Sequence, residues 1–427
     1  MALVDLPRPD IEAGLESAHR AYEEFAARGL SLDITRGKPG SDQLDLSADL
    51  LTAVTAENYR APDGTDTRNY GGLDGLLELR EMFGELFSVP ASQLLAQGNS
   101  SLTLMSQALV FASLFGTADE DSVPWASGPR RILCPVPGYD RHFGLAEALG
   151  FELVTVPQDD EGPDMDAVRA LTAEDPSVKG IWIVPMYSNP TGITVSEARA
   201  KELLDLETAA PDFRILWDNA YGLHHLREPH AALLDILGLA AASSRPDRVW
   251  MFASTSKITL PGAGVAFFAA SPRDTDWFRK HLSPTSIGPD KVNQLRHLHF
   301  FGTPDGVRAH MEKHAALVLP KFEAVERILA EELGDLGIAT WTAPNGGYFI
   351  TLTVLPGTAD RVVKLAAEAG VKLTPAGATH PYGLDPDNAV IRIAPTMPSL
   401  DEVEQAARGL AACVRLAAHE ALLARDS

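Results

Sequence analysis

Two cysteines in 427 residues, Cys134 and Cys413, are too few for a disulfide framework. Both stand among apolar residues and read as buried free thiols, which suits a reducing compartment. Positive charge is scarce as well. The chain has 36 Lys and Arg against 58 Asp and Glu, a formal net charge of −22, and its pI is near 4.9. That balance favours solubility and argues against binding a nucleic-acid backbone or an anionic membrane. No apolar run is long enough to span a bilayer. The opening residues, Met1 to Pro7, lack a basic stretch followed by an apolar one and do not read as a secretory signal. There is no internal repeat and no low-complexity linker. A soluble cytoplasmic protein with neither nucleic-acid nor membrane partners is expected.

What the chain does have is apolar residues, 45% of the total, enough for a large core and two domains, one of them discontinuous in sequence. Residues 10–29 place Ile11, Leu15, Ala18, Tyr22 and Phe25 near helical spacing. Further helices are predicted from Leu76 to Phe87, after Ser100-Ser101, over 305–333, 359–369 and 400–424. The segments 131–135, 151–156, 180–185, 213–218, 249–253 and 265–270 are continuous apolar runs of strand length, mostly separated by helical stretches. Continuous hydrophobicity means burial on both faces, the pattern of a mostly parallel sheet. Residues 339–341, 346–352 and 389–394 suggest strands of a second unit. The predicted fold class is α/β: a large domain with a mostly parallel, mixed sheet between helices (61–304), plus a smaller α+β domain (305–427, joined by 1–60).

Ligands of such sheets bind at the carboxyl ends of the strands. Tyr139, Asn189, Asp218, Tyr221 and Lys257 all stand there. Lys257 follows a buried run in the turn Ser254-Thr255-Ser256-Lys257; desolvation there favours a neutral amine able to form a Schiff base. A snorkelling surface lysine is the competing reading. Asp218 ends the run Ile215-Leu216-Trp217, and burying its carboxylate requires a cationic partner, such as a protonated ring nitrogen. Ser100, Ser101 and Leu102 open a helix: a plain cap, or a phosphate site. Together these pieces match what pyridoxal 5′-phosphate requires: an imine-forming lysine, a carboxylate for the ring nitrogen, donors for the ring oxygen and a helix end for phosphate.

At this point the sequence closely resembles the fold-type-I, class I aminotransferases. The resemblance is carried by Ser188-Asn189-Pro190-Thr191-Gly192, Asp218-Asn219-Ala220-Tyr221, Ser254-Thr255-Ser256-Lys257 and Ile391-Arg392-Ile393. The stretch Thr35-Arg36-Gly37-Lys38-Pro39 looks like the divergent MocR-type subgroup that includes aspartate aminotransferases. The resemblance implies that Lys257 carries the Schiff base and moves a proton, Asp218 pairs with the ring nitrogen, and Asn189 and Tyr221 bond the ring oxygen. It implies further that Tyr139 stacks on the ring and that Ser100, Ser101, Leu102, Ser254 and Ser256 hold the phosphate. Tyr70 would reach the phosphate of a neighbouring subunit, making a homodimer with active sites at the subunit interface. Arg392 would grip the α-carboxylate of an amino acid or 2-oxo acid, with Asn189, Gly37 and Arg36 also on the substrate side. Aspartate and 2-oxoglutarate are the expected pair, with Arg36 or Lys38 on the second carboxylate.

One departure stands out: the family's phosphate-binding arginine is missing from Pro261-Gly262-Ala263-Gly264, so hydroxyls, backbone N–H groups or a cation from elsewhere must serve. Two alternatives stay open, β-elimination or decarboxylation at the same site, and a pyridoxal-phosphate-sensing regulator domain. The regulator reading needs an N-terminal DNA-binding domain for which residues before Gly37 offer no room. His310 and His314 have helical i, i+4 spacing but no accompanying catalytic glutamate, and read as an exposed helix face, not a metal site. His224-His225 and His297-Leu298-His299 likewise have no completing ligands.

Overall fold

In the computed structural model, which describes residues 2–425, the strands are β1 (Leu32–Asp33), β2 (Leu94–Ala96), β3 (Arg131–Val136), β4 (Glu152–Asp159), β5 (Gly162–Pro163), β6 (Val178–Ile183) and β7 (Arg214–Asp218). They continue with β8 (Val249–Ser254), β9 (Ala266–Ala270), β10 (Ala339–Trp341), β11 (Ile350–Val354), β12 (Val371–Lys372) and β13 (Val390–Ile393). Eight of these form one sheet in the order β2-β9-β8-β7-β6-β3-β4-β5. The ladders joining β4, β3, β6, β7 and β8 are parallel. β9 adds antiparallel to β8, β2 adds antiparallel to β9, and β5 adds antiparallel to β4. β9 runs back because Thr255 to Val265 holds the Lys257 turn and has no crossover helix to reverse direction. β2, with three residues, is too short to register as a strand from its sequence pattern.

The central strands are buried on both faces, and their side chains alternate between two cores. On β7, Ile215 and Trp217 join one core and Leu216 the other; on β8, Val249, Met251 and Ala253 face one way and Trp250 and Phe252 the opposite way. A third core gathers residues 3–34 with 318–422. Within it, helix Arg8–Ala26 lies so close to helix Leu400–Arg425 that a β-carbon at Gly409 would sit 2.2 Å from the Phe25 ring. β10, β11 and β13 form an antiparallel sheet, and β1 pairs with β12 in parallel, tying the N-terminal segment to this second unit. Both cysteines are buried and free.

Helix Pro304–Leu333 joins the cores: Val307 and Met311 pack in the first, Val318 to Leu333 in the third. This corrects the reading of His310 and His314 as an exposed face. Both are buried, 5% and 3% exposed. The segment holding Gln43 and Ser47 folds over them, and Gln43 Nε2 donates to His314 Nδ1 (3.0 Å). Helical spacing of polar residues does not reveal such a cover, because it comes from a distant part of the chain. Among the described residues no helix is long and apolar enough to cross a membrane.

Candidate active site

The parallel strands β6, β7 and β8 deliver Asn189, Asp218 and Lys257 to one end of the sheet. Asp218, the last residue of β7, is 3% exposed. Its Oδ2 accepts from His142 Nε2 at 2.9 Å, while its Oδ1 is buried without a partner. His142 was not foreseen. It sits in helix Asp140–Ala148, stacked on Trp182 with centroids 4.2 Å apart and edge-on to Tyr139 at 4.9 Å. The available signal was its place one helical turn after Tyr139, which puts both on one face.

Lys257 follows β8. Burial lowers the proton affinity of its amine, and Asp218 partly offsets that effect. Nζ lies 4.8 Å from the Tyr221 ring centroid and makes no hydrogen bond or ion pair among the described residues. Tyr221 is fully enclosed; burial, Tyr139 and Asp218 raise its hydroxyl well above the ordinary value. Tyr139 is pushed up to about 12 by burial first and Asp218 second. Asn189, 2% exposed, turns its Oδ1 to Arg392 Nη1 at 3.3 Å.

Lys257, Tyr221, Tyr139 and Asn189 line a cavity of about 490 Å³ that Arg36, Gly37, Lys38 and Arg392 also line. Arg392 alternates on β13 with Ile391 and Ile393, which point into the third core, so strand periodicity turns it towards the cavity. Its guanidinium lies 5.1 Å from the Phe349 ring centroid. Gly37 is required opposite that ring, since a β-carbon there would fall 2.3 Å from Phe349 Cζ. Asp140 and Arg141 also line the cavity and were not foreseen; both follow Tyr139 directly and read in sequence as helix-start residues.

The hydroxyl shelf is assembled beside this cavity. Ser256 Oγ donates to the Asn99 carbonyl (3.2 Å), just before helix Ser101–Phe115, and Ser254 Oγ donates to Ser256 Oγ (2.9 Å). Ser100, Ser101 and Leu102 therefore open their helix next to Ser254 and Ser256, where the first N–H groups of a helix have no carbonyl a turn earlier to bond. The arginine-free turn is held by neutral groups: Asn293 Nδ2 donates to the Ala263 and Gly264 carbonyls (2.9 Å each), and Val265 N–H to Thr255 Oγ1 (2.9 Å). Asp218, Ser100, Ser101, Leu102, Ser254 and Ser256 are not among the residues that line the cavity itself, and neither is Tyr70. Tyr70 is 82% exposed.

A lysine with weakened proton affinity, a buried carboxylate with one unpartnered oxygen, and cationic residues lining the lysine's cavity fit an enzyme that works on an amino or oxo acid through a carbonyl cofactor. A family profile described as aspartate amino-transferase matches residues 7–426. The aspartate aminotransferase of Corynebacterium glutamicum is 50% identical over 407 residues, 95% of this chain and 94% of that one. A crystal structure of an aspartate transaminase from Corynebacterium glutamicum superposes with a TM-score of 0.97 at 48% identity, covering 99% of both chains. A more distant likeness, 24% identical over 334 residues, is to a Bacillus subtilis HTH-type transcriptional regulator, of which 63% is covered. The chain belongs to the aspartate aminotransferase family and is an aminotransferase. Pyridoxal 5′-phosphate is the cofactor of this family.

Proposed function

We propose that this aminotransferase moves the amino group of aspartate to 2-oxoglutarate, and that Lys257 is the residue that binds its cofactor covalently. The observation that carries the reading is the pairing of a free, desolvated Lys257 amine with an Asp218 carboxylate whose Oδ1 is buried and unpartnered. That oxygen fits a protonated ring nitrogen, and the Ser100-Ser101-Leu102 helix start beside Ser254 and Ser256 fits a phosphate. When bound, pyridoxal phosphate supplies an aldehyde for the amine and a protonated ring that withdraws electrons.

The protein's own groups then divide the work. His142 holds Asp218 in place through Oδ2. Tyr221 and Asn189 bond the ring oxygen, and Tyr139 covers the ring. Lys257 Nζ would take the proton from the substrate α-carbon and deliver it to the carbon that was the cofactor's aldehyde, a role suited to an amine whose proton affinity burial has lowered. Arg392 binds the α-carboxylate with Asn189 beside it, and Arg36, Lys38 or Arg141 meets the second carboxylate of a dicarboxylic substrate. Tyr70, exposed on its own chain, reaches the phosphate of a second copy in a homodimer. The third core, with residues 1–60 and 305–427, acts as the small domain over a large domain of 61–304. The resemblance of the Thr35-Arg36-Gly37-Lys38-Pro39 loop supports placement in the MocR-type subgroup.

The test is an absorption spectrum of the purified protein before and after aspartate, repeated on Lys257→Ala. A visible band that shifts with aspartate in the parent alone is expected. Borohydride reduction should fix a phosphopyridoxyl group to Lys257. Turnover with alanine or an aromatic amino acid and none with aspartate would overturn the substrate assignment.

A further inference from the structure

We propose that Asp140 is an internal counterion that holds the guanidinium of Arg392 in the empty site and is displaced when a carboxylate substrate binds. The inference rests on Arg392 being the carboxylate site. Arg392 Nη1 donates to Asp140 Oδ1 at 2.8 Å and to Asn189 Oδ1 at 3.3 Å, and Nη2 donates to Thr374 Oγ1 at 3.2 Å. Nε is buried and without a partner. Because Nε is buried, a carboxylate entering from the cavity has to meet the Nη nitrogens, and Asp140 Oδ1 already accepts from Nη1. Phe349 lies against the guanidinium plane and keeps it from turning away.

The two members of the pair differ in freedom. The Arg392 side chain is 7% exposed, that of Asp140 35%. Arg392 is fixed by β13, Thr374 and Asn189, whereas the Asp140 side chain has open space beside it. Asp140 is the first residue of helix Asp140–Ala148, where the positive end of the helix dipole can keep a released carboxylate. Before a substrate arrives, the pair spares a buried arginine the cost of lacking a counter-charge. The price is selectivity: a ligand must offer a carboxylate good enough to replace one already bonded. Apparent affinity is reduced by the fraction of molecules in which Arg392 is occupied. An alternative role predicts the opposite sign, since an Asp140 that stayed in place and oriented Arg392 would strengthen substrate binding.

The experiment titrates the holoenzyme with maleate, an unreactive dicarboxylate, by calorimetry and by the change in cofactor absorbance. It compares the parent, Asp140→Asn, Asp140→Ser, Arg392→Gln and the Asp140→Asn/Arg392→Gln pair, with melting temperatures to verify folding. Removing the counterion should tighten maleate binding about tenfold, within the usual range for coupled sites. The gain should vanish in the Arg392→Gln background. Unchanged or weaker binding in both Asp140 variants would overturn the proposal, as would an equal gain without Arg392, which would show only the general loss of a negative charge. If Arg392→Gln alone bound maleate as tightly as the parent, the assignment of Arg392 itself would fail, a result distinct from either of these.

Discussion

Replacing His142 with phenylalanine isolates one bond. The phenyl ring can keep the stack on Trp182, now 4.2 Å between centroids with planes 7° apart. What is lost is the Nε2–H that reaches Asp218 Oδ2 at 2.9 Å. Asp218 Oδ1 already lacks a partner, so the substitution leaves a buried carboxylate with none. A hydrogen bond to a charged group contributes about 1.5–3 kcal/mol, and the cost of stranding its buried partner falls in that range instead of adding to it. The apoprotein should lose about 2–3 kcal/mol in urea unfolding, read from the first transition because the separate cores can unfold in steps. A cycle with Asp218→Asn assigns the loss: the coupling should be about 1.5–3 kcal/mol, since the double variant strands no charge. Cofactor affinity should fall about tenfold, or ~1.4 kcal/mol, because an untethered carboxylate no longer fixes Oδ1 towards the ring nitrogen. A coupling below about 0.5 kcal/mol would refute the reasoning and place the support of Asp218 elsewhere.

Acid should weaken the fold. His224, His297 and His314 are held at about 3, 4 and 4 by burial. The unfolded chain takes up these protons near pH 6.5, so stability is intact above that value. Below it, each ring costs up to about 1.4 kcal/mol per pH unit until the folded value is reached. Urea midpoints at pH 7, 6 and 5 should drop steeply, and a flat profile would contradict the burial of these rings. Gly37→Ala should raise KM for aspartate about tenfold with a smaller change in kcat, because its β-carbon displaces Phe349 from beside Arg392; an unchanged KM would detach the Gly37 loop from substrate binding.

The polar residues at strand ends were legible because two signals coincide: a continuous apolar run fixes a buried strand, and the first polar residue after it has to face the crevice. Asp218 follows directly from that logic; Lys257 stands three residues beyond Ser254, the first polar residue after its run, and was picked out by the small-residue turn that carries it. His142 did not, since a histidine in a helix carries no local mark of the carboxylate it will meet from β7, far along the chain. Asp140 escaped for a related reason. In sequence it is an ordinary acidic residue at a helix start, and only the arrival of β13 gives it Arg392 as a partner. His310 and His314 were misplaced because the cover over them, Gln43 and Ser47, comes from the opposite end of the chain. The antiparallel return of β9 was hidden as well: its apolar run looks the same in either direction, and only the short connection through the lysine turn betrays it.

That turn is also held without a cation after Lys257. The carbonyls of Lys257 and Ile258 are met by neutral side chains. His224 Nε2 and Tyr348 Oη both lie 3.4 Å from the Lys257 carbonyl, and His314 Nε2 lies 3.0 Å from that of Ile258. Because Gln43 Nε2 donates to His314 Nδ1, His314 must carry its own proton on Nε2, where it can donate to Ile258. The low proton affinity of these rings follows from burial, so near neutral pH they fix the turn without adding positive charge, and Asp218 is the charged group that acts on the Lys257 amine. Gln43 also donates to Tyr348 Oη at 3.0 Å, while Thr396 Oγ1 donates to the Lys38 carbonyl at 3.0 Å. Gln43 Oε1 also accepts from Gly40 N–H at 3.1 Å, so Gln43 links the end of the loop that carries Arg36 and Lys38 to Tyr348 and, through Tyr348, to the Lys257 carbonyl.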